Sequence, residues 1–286
     1  MTVEEALAAL KAEAEPGKAA EMAAYHKADR PYLGVANPVI DRLAREWRQA
    51  ITLEERLALA RGLWDTNIHE ARIAAAKLLT QARIRPDDRA AWALVKSWVP
   101  EFDAWAVADH ASIAGQKRLL ADPGRVDELE DWTRSDHLWT RRAALVMTLP
   151  WTKQNNPKPL DIEIRERVLG WAATYVNDPE WFIQKSVAWW LRDLSKHDPD
   201  RVIQFLRTAN QVFDPAPRSL IALSNLTTST AGAHARFAAG PFLAAAWGAG
   251  LDIAMLDVFD DELAGVASLC RVFGGERVFA PGEYQN

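Results

Sequence analysis

Apolar residues recur along this chain every three to four positions, the spacing of one helix face, and the pattern predicts helix after helix. Val3 to Ala14 reads as an amphipathic opening helix and Lys18 to Lys27 as a second. A turn-rich link, DRPYLGVANP from Asp29 to Pro38, follows. Asn37 is expected to cap the next helix with Pro38 at its first position, where a missing N–H costs nothing. Thr52 and Glu55 have capping-box spacing for a helix to about Trp64. Ile68–Arg83, Asp87–Trp98, Val126–Arg134 and Asp136–Leu149 continue the series. Three Asp-Pro pairs, at Asp178, Asp198 and Asp214, each read as an N-cap followed by proline at N1. The first two hundred residues hold no alternating run of strand type.

Helices of this length joined in pairs by short turns predict an all-α fold, an α-solenoid of HEAT-like repeats, over residues 1–210. Composition changes near Gln211. From Ser219 to Leu251 the only formally charged residue is Arg236, and an acidic segment, Asp257 to Glu262, comes next. Residues 211–286 are therefore expected to form a C-terminal appendage, to which no chemistry can be assigned.

Nearly half the residues are hydrophobic, enough for a core. A lone Cys270 excludes an intrachain disulfide and argues against a cysteine-based zinc site. The N-terminus carries acids where an export signal needs positive charge. Phe237–Ile253, the nearest approach to a membrane span, is rich in Ala and Gly and too short. The expectation is a soluble cytoplasmic protein. Its net charge of −5 counts against a whole-surface nucleic-acid binder but leaves room for a local basic track. Phosphate loops, dinucleotide fingerprints, zinc-protease motifs and nucleophile elbows are missing, and the six His are scattered.

Three stretches hold chemistry. In Glu101–Asp109, EFDAWAVAD, a helical reading places Phe102, Trp105, Asp109 and Ile113 on one stripe. A carboxylate in an apolar stripe is costly unless it is paired or used. It is either a satisfied structural acid or an anionic group beside an aromatic wall, suited to a cation. His110 points about 100° away and reads as structural. In Asp178–Asp198, Ile183, Val187, Trp190 and Leu194 form a core stripe, whereas Trp189 lies off it with Lys185 and Arg192. Trp189 is either presented or covered by a Lys stem. In Asp136–Leu149, Arg142 interrupts the stripe of Leu138, Leu145 and Leu149, with Arg141 beside it. Arg142 could clamp phosphate, for which its fork is well shaped, or pair with a core acid such as Asp109.

Together these stretches resemble the AlkD-type alkylpurine DNA glycosylases, which are built of HEAT-like repeats. The resemblance runs from about Ala24 to Leu206. It is carried by RPYLGVANPVIDRLAREW, GLWDTNIHEARIAAAKLL, VKSWVPEFDAWAVAD, HLWTRRAAL and WFIQKSVAWWLRDLSKHDPD. In that family the functional set is two Trp, one Asp and one Arg, which by motif fall on Trp105, Trp189, Asp109 and Arg142. Asp103-Ala104 stands where the family has an aromatic-rich run, and the appendage replaces its closing helices. The resemblance implies a DNA repair enzyme that hydrolyses the N-glycosidic bond of cationic N3- or N7-alkylated purines in double-stranded DNA. Asp109, Trp105 and Trp189 would be catalytic, and Arg142, Arg141, Lys185 and Tyr32 would contact DNA. It implies a monomer that needs no cofactor or metal and no membrane. The alternatives are a non-catalytic DNA-structure binder and a protein-binding scaffold on the same repeats.

Overall fold

The computed structural model describes residues 1–213, 218, 220–222, 233–248, 251–255 and 260–273. The chain divides into two compact units, Met1–Ala209 and Asn210–Asn286. The first holds α1 (Val3–Ala12), α2 (Pro16–His26), α3 (Asn37–Ala50), α4 (Leu53–Asp65), α5 (His69–Leu78) and α6 (Arg89–Trp98). After a 3-10 turn come α7 (Trp105–Ala121), α8 (Leu129–Trp132), α9 (Leu138–Met147), α10 (Pro159–Thr174), α11 (Trp181–Ser195) and α12 (Pro199–Val212). Helices α3, α5, α7, α9 and α11 pack side by side in one row. In a second row, α4 lies on α5, α6 on α7, and α8 and α10 on α9. This is an all-α solenoid of HEAT-like helix pairs.

Caps explain some boundaries and correct others. The Thr52–Glu55 capping box forms as expected, and Asp198 accepts the Arg201 N–H at 3.2 Å at the start of α12. Asn37, however, lies inside α3, with Ala36 in the cap position and no side-chain capping bond. Asp178 makes an Asx turn with the Glu180 N–H at 2.9 Å, and α11 starts only at Trp181. Asp214 lies outside the described residues. Helix α5 stops at Leu78, short of Arg83, where the Thr80 hydroxyl donates to the Lys77 carbonyl. The segment expected as Val126–Arg134 is mostly 3-10 turn, with only the short α8 helical. Helix α10 is not expected from the sequence, and its packed face includes a buried Arg165 that breaks the apolar stripe.

Packing uses most of the tryptophans. Trp64, Trp98, Trp151 and Trp190 are fully buried, and Trp47, Trp92, Trp139 and Trp171 nearly so. Several bury the ring and keep the indole N–H on a rim carboxylate: Trp64 on Glu101 at 2.9 Å, Trp92 on Glu128 at 3.0 Å and Trp171 on Glu130 at 2.9 Å. Arg72, Arg125 and Arg167 lie over the same three rings. Where α7 crosses α9, Gly115 leaves room for Met147, and a Cβ there would overlap the Met147 sulfur.

In the second unit α13 (Ala233–Gly248) packs on α14 (Asp261–Phe273). Two short parallel strands, β1 (Leu220–Ala222) and β2 (Ile253–Met255), pair Leu220 with Ile253. Asp261 and Glu262 occupy the first turn of α14, where the helix dipole favours them. Among the described residues no helix is long and apolar enough to cross a membrane.

Candidate active site

The site begins with the link between α2 and α3. Glu70, fully buried on α5, accepts three backbone N–H groups from it: Leu33 at 2.9 Å, Gly34 at 2.8 Å and Val35 at 3.3 Å. Gly34 has φ +79°, and a Cβ there would strike the Glu15 carbonyl. Buried Arg30 reaches from this link to Asp103, just before α7. Asp103, which departs from the family pattern, thus ties the link to the start of α7.

So fixed, the link and the end of α2 set an aromatic cluster beside the first residue of α7. Tyr25 meets Trp105 edge to face, centroids 6.0 Å apart, and His26 lies 5.2 Å from the same ring. Behind them His26 and Tyr32 stand 4.7 and 4.8 Å from His69. His69 is 1% exposed, and burial, with His26, Arg30 and His110 around it, lowers its pKa to about 3. Burial also lowers His26, partly opposed by Glu70. His110 falls to about 4 through burial and Lys77, in keeping with a structural role. Tyr25 is 71% exposed and was not singled out from the sequence. Helix α2 has no buried residues, so no apolar stripe marks Tyr25 as out of place.

Trp105 and Asp109 do share a face of α7, but it is not a packed stripe. Phe102 lies before the helix and is buried in the core, while Ile113 is 39% exposed. The packed side of α7 is instead Ala108, Ala111, Ser112, Gly115 and Leu119. Asp109 therefore opens towards solvent, and its constraint comes from Arg142. Arg142 is 4% exposed; its two terminal nitrogens donate to the two Asp109 oxygens, Nη2 to Oδ2 at 3.2 Å. Its guanidinium lies 5.7 Å from the Trp139 ring, and Trp139 packs on Phe182 of α11. Of the two readings left open by the sequence, the structure has the Arg142–Asp109 pair, so Arg142 does not present an unpaired fork. Arg141 is also engaged, donating to the Ser135 and Asp136 carbonyls at 2.7 and 3.1 Å and facing Asp178. The Tyr32 hydroxyl donates to the Ala28 carbonyl.

Trp190 is fully buried with Ile183, Val187 and Leu194. Trp189 is half-buried rather than free, its indole N–H on Asp193 at 3.1 Å. Asp193 is held in turn by Lys153, Arg192 and Lys196. Lys185 is exposed, as is Trp181 (64%), one turn before it on the same face and also not singled out from the sequence. Helix α9 packs between α7 and α11, and the Arg142–Trp139–Phe182 contacts run from Asp109 to α11, the helix that carries Trp189. Two grooves of about 600 and 500 Å³ open elsewhere, and neither is lined by Trp105, Asp109 or Trp189. Among the described residues no group of three or more His, Cys, Asp or Glu could hold a metal ion.

A family model described as DNA alkylation repair enzyme matches residues 6–224, most of the chain. The chain belongs to the DNA alkylation repair enzyme family. The family match passes beyond the first compact unit and takes in the start of the second. A structure described as a predicted DNA alkylation repair enzyme from Enterococcus faecalis shares this fold. It has a TM-score of 0.57 and 19% identity, over 68% of this chain and 90% of that one. A crystal structure of a Streptococcus mutans UA159 protein aligns with a TM-score of 0.47 and 22% identity, over 59% of this chain and 81% of that one. No curated protein matches the chain.

Proposed function

We propose that the chain is a monofunctional DNA glycosylase that removes cationic N3- or N7-alkylated purines from double-stranded DNA. The observation that carries this reading is Asp109, one turn from Trp105 on an open helix face and aimed by the Arg142 fork. An alkylated purine carries positive charge and leaves as a neutral base when it takes the bonding electrons. The sugar then develops oxocarbenium character at C1′, water adds there, and its proton passes to Asp109 or solvent. A fixed carboxylate stabilises that charge, and the rings of half-buried Trp105 and exposed Tyr25 favour the cation. Trp189 would take the neighbouring deoxyribose, and Lys185, exposed beside it, would contact phosphate. The open face suits a substrate met along its backbone rather than inside a base pocket. In this reading the enzyme acts in the cytoplasm as a monomer and needs no cofactor.

The deciding experiment is release of free methylated purine from alkylated duplex DNA. Asp109→Asn should fold and bind DNA yet lose about 10²-fold or more in rate, as for loss of a main electrostatic stabiliser. A rate within a few fold of wild type removes Asp109 from the chemistry.

A further inference from the structure

The turn after α5 carries more positive charge than the fold uses. Arg56, in the first turn of α4, is 6% exposed, yet it has no carboxylate partner among the described residues. Its Nη1 donates to the Gln81 side-chain oxygen, and its Nε is buried without any partner. Arg48, near the end of α3 and half-buried, meets only the Thr80 hydroxyl among the described residues, at 3.5 Å. Burial depresses both guanidiniums. Neighbouring cations push the same way, Arg45 on Arg48, and Arg48 and Arg118 on Arg56. The nearby inner carboxylate, Asp88, is already shared by Arg118 and Arg125. The carbonyl end of α5 offers only about half an elementary charge, less than the two cations beside it. A buried cation left so is costly unless an anion joins it.

We propose that Arg48 and Arg56 form a phosphate-binding site, oriented by Thr80 and Gln81. Two planar forks match a phosphate's oxygens, and among the described residues no acid neutralises either fork. The site is distinct from the aromatic cluster. His69 touches that cluster at one end of α5 and Thr80 lies past the other, about 16 Å along the axis at 1.5 Å per residue. That distance is about five base pairs of duplex at 3.4 Å each. The phosphate is therefore either a DNA backbone group on the undamaged flank or a free anion. Only the first source rests on the reading of the chain as a DNA glycosylase.

The test melts full-length wild type, Arg48→Gln and Arg56→Gln in inorganic phosphate and in chloride, at equal pH and ionic strength. Wild type should melt about 2–4 °C higher in phosphate, and both variants should lose that difference. In chloride Arg56→Gln should melt at or above wild type, because it removes an unpaired buried charge. If Arg56→Gln fails to fold, Arg48→Gln carries the same readout. Binding to undamaged duplex at several salt concentrations then identifies the source. A slope of log K against log salt reduced by about one unit in Arg48→Gln assigns the phosphate to DNA. An unchanged slope with phosphate-dependent melting assigns it to free phosphate. Undamaged duplex is the probe, so failure of purine release leaves this result standing. No phosphate effect on melting together with an unchanged slope overturns the site.

Discussion

Arg142 is anomalous on the buried face of its helix, and Asp109 explains it. Its position was legible because a charged residue interrupting an apolar period is visible in sequence, whereas the apolar stripe expected around Asp109 is not packed in the structure. The pairing of the two could be raised from the sequence only as one of two alternatives, since a helical stripe gives an angle about one axis and says nothing of the neighbouring helix. Arg142→Ala should therefore lower stability by about 1–3 kcal/mol, the loss of a charged hydrogen-bonded fork and its packing beside a carboxylate that solvent can partly reach. It should also slow purine release by unfixing Asp109, and Arg142→Lys should recover only part, lacking the fork. A melting temperature equal to wild type would contradict the pairing. His69 offers a second test at this scale. Its folded pKa of about 3 lies below the ordinary 6.5, so the unfolded chain takes up a proton first as pH falls. The stability associated with neutral His69 is present above pH 6.5 and drains away between 6.5 and about 3. His69→Phe, which keeps a ring beside His26 and Tyr32, should narrow the melting gap between about pH 7 and 5. An unchanged gap would place that acid sensitivity elsewhere.

At the scale of the element, α11 was the most readable part of the chain. Its apolar period separates Trp190 from Trp189, and the structure buries the first and half-buries the second. Trp190→Ala should cost about 3–5 kcal/mol as a core cavity. Trp189→Ala should cost about 1 kcal/mol, mainly its bond to Asp193, and should damage purine release far more than stability. Similar melting of the two variants would show that the face assignment is wrong. Elsewhere periodicity was a poorer guide. Helix α10 packs a buried Arg165 whose Nε donates to the Trp151 carbonyl at 2.6 Å, and such a residue erases the stripe that would reveal the helix. The opposite failure occurs around α8, where helix-like spacing is taken up by 3-10 turns.

For the whole molecule, the helical solenoid could be inferred because most successive segments show an apolar period of helix type and are joined by short turns. The parallel strand pair in the second unit could not, because three-residue strands carry too little alternation to detect. Charge is also a property of the whole, and a net −5 hides how the cations are spent. Arg141, Arg142, Arg167 and Arg201 are all engaged with acids of the fold. These four are committed within the fold and the net charge is negative, so duplex affinity should fall with salt at a shallow slope, roughly −3 to −5, at about −0.9 per phosphate contact. Lys185 is exposed and has no bonded partner among the described residues, so Lys185→Ala should reduce that slope by about one unit. Arg142→Ala should leave it unchanged, because that fork is committed to Asp109. The two variants thus make opposite pairs of results: a smaller slope with normal melting for Lys185, and a normal slope with lowered melting for Arg142. Affinities at several salt concentrations, with a melt of each variant, measure both. If Arg142→Ala lowers the slope and leaves melting intact, the fork leaves Asp109 for phosphate when DNA binds, and the carboxylate is freed by the substrate itself.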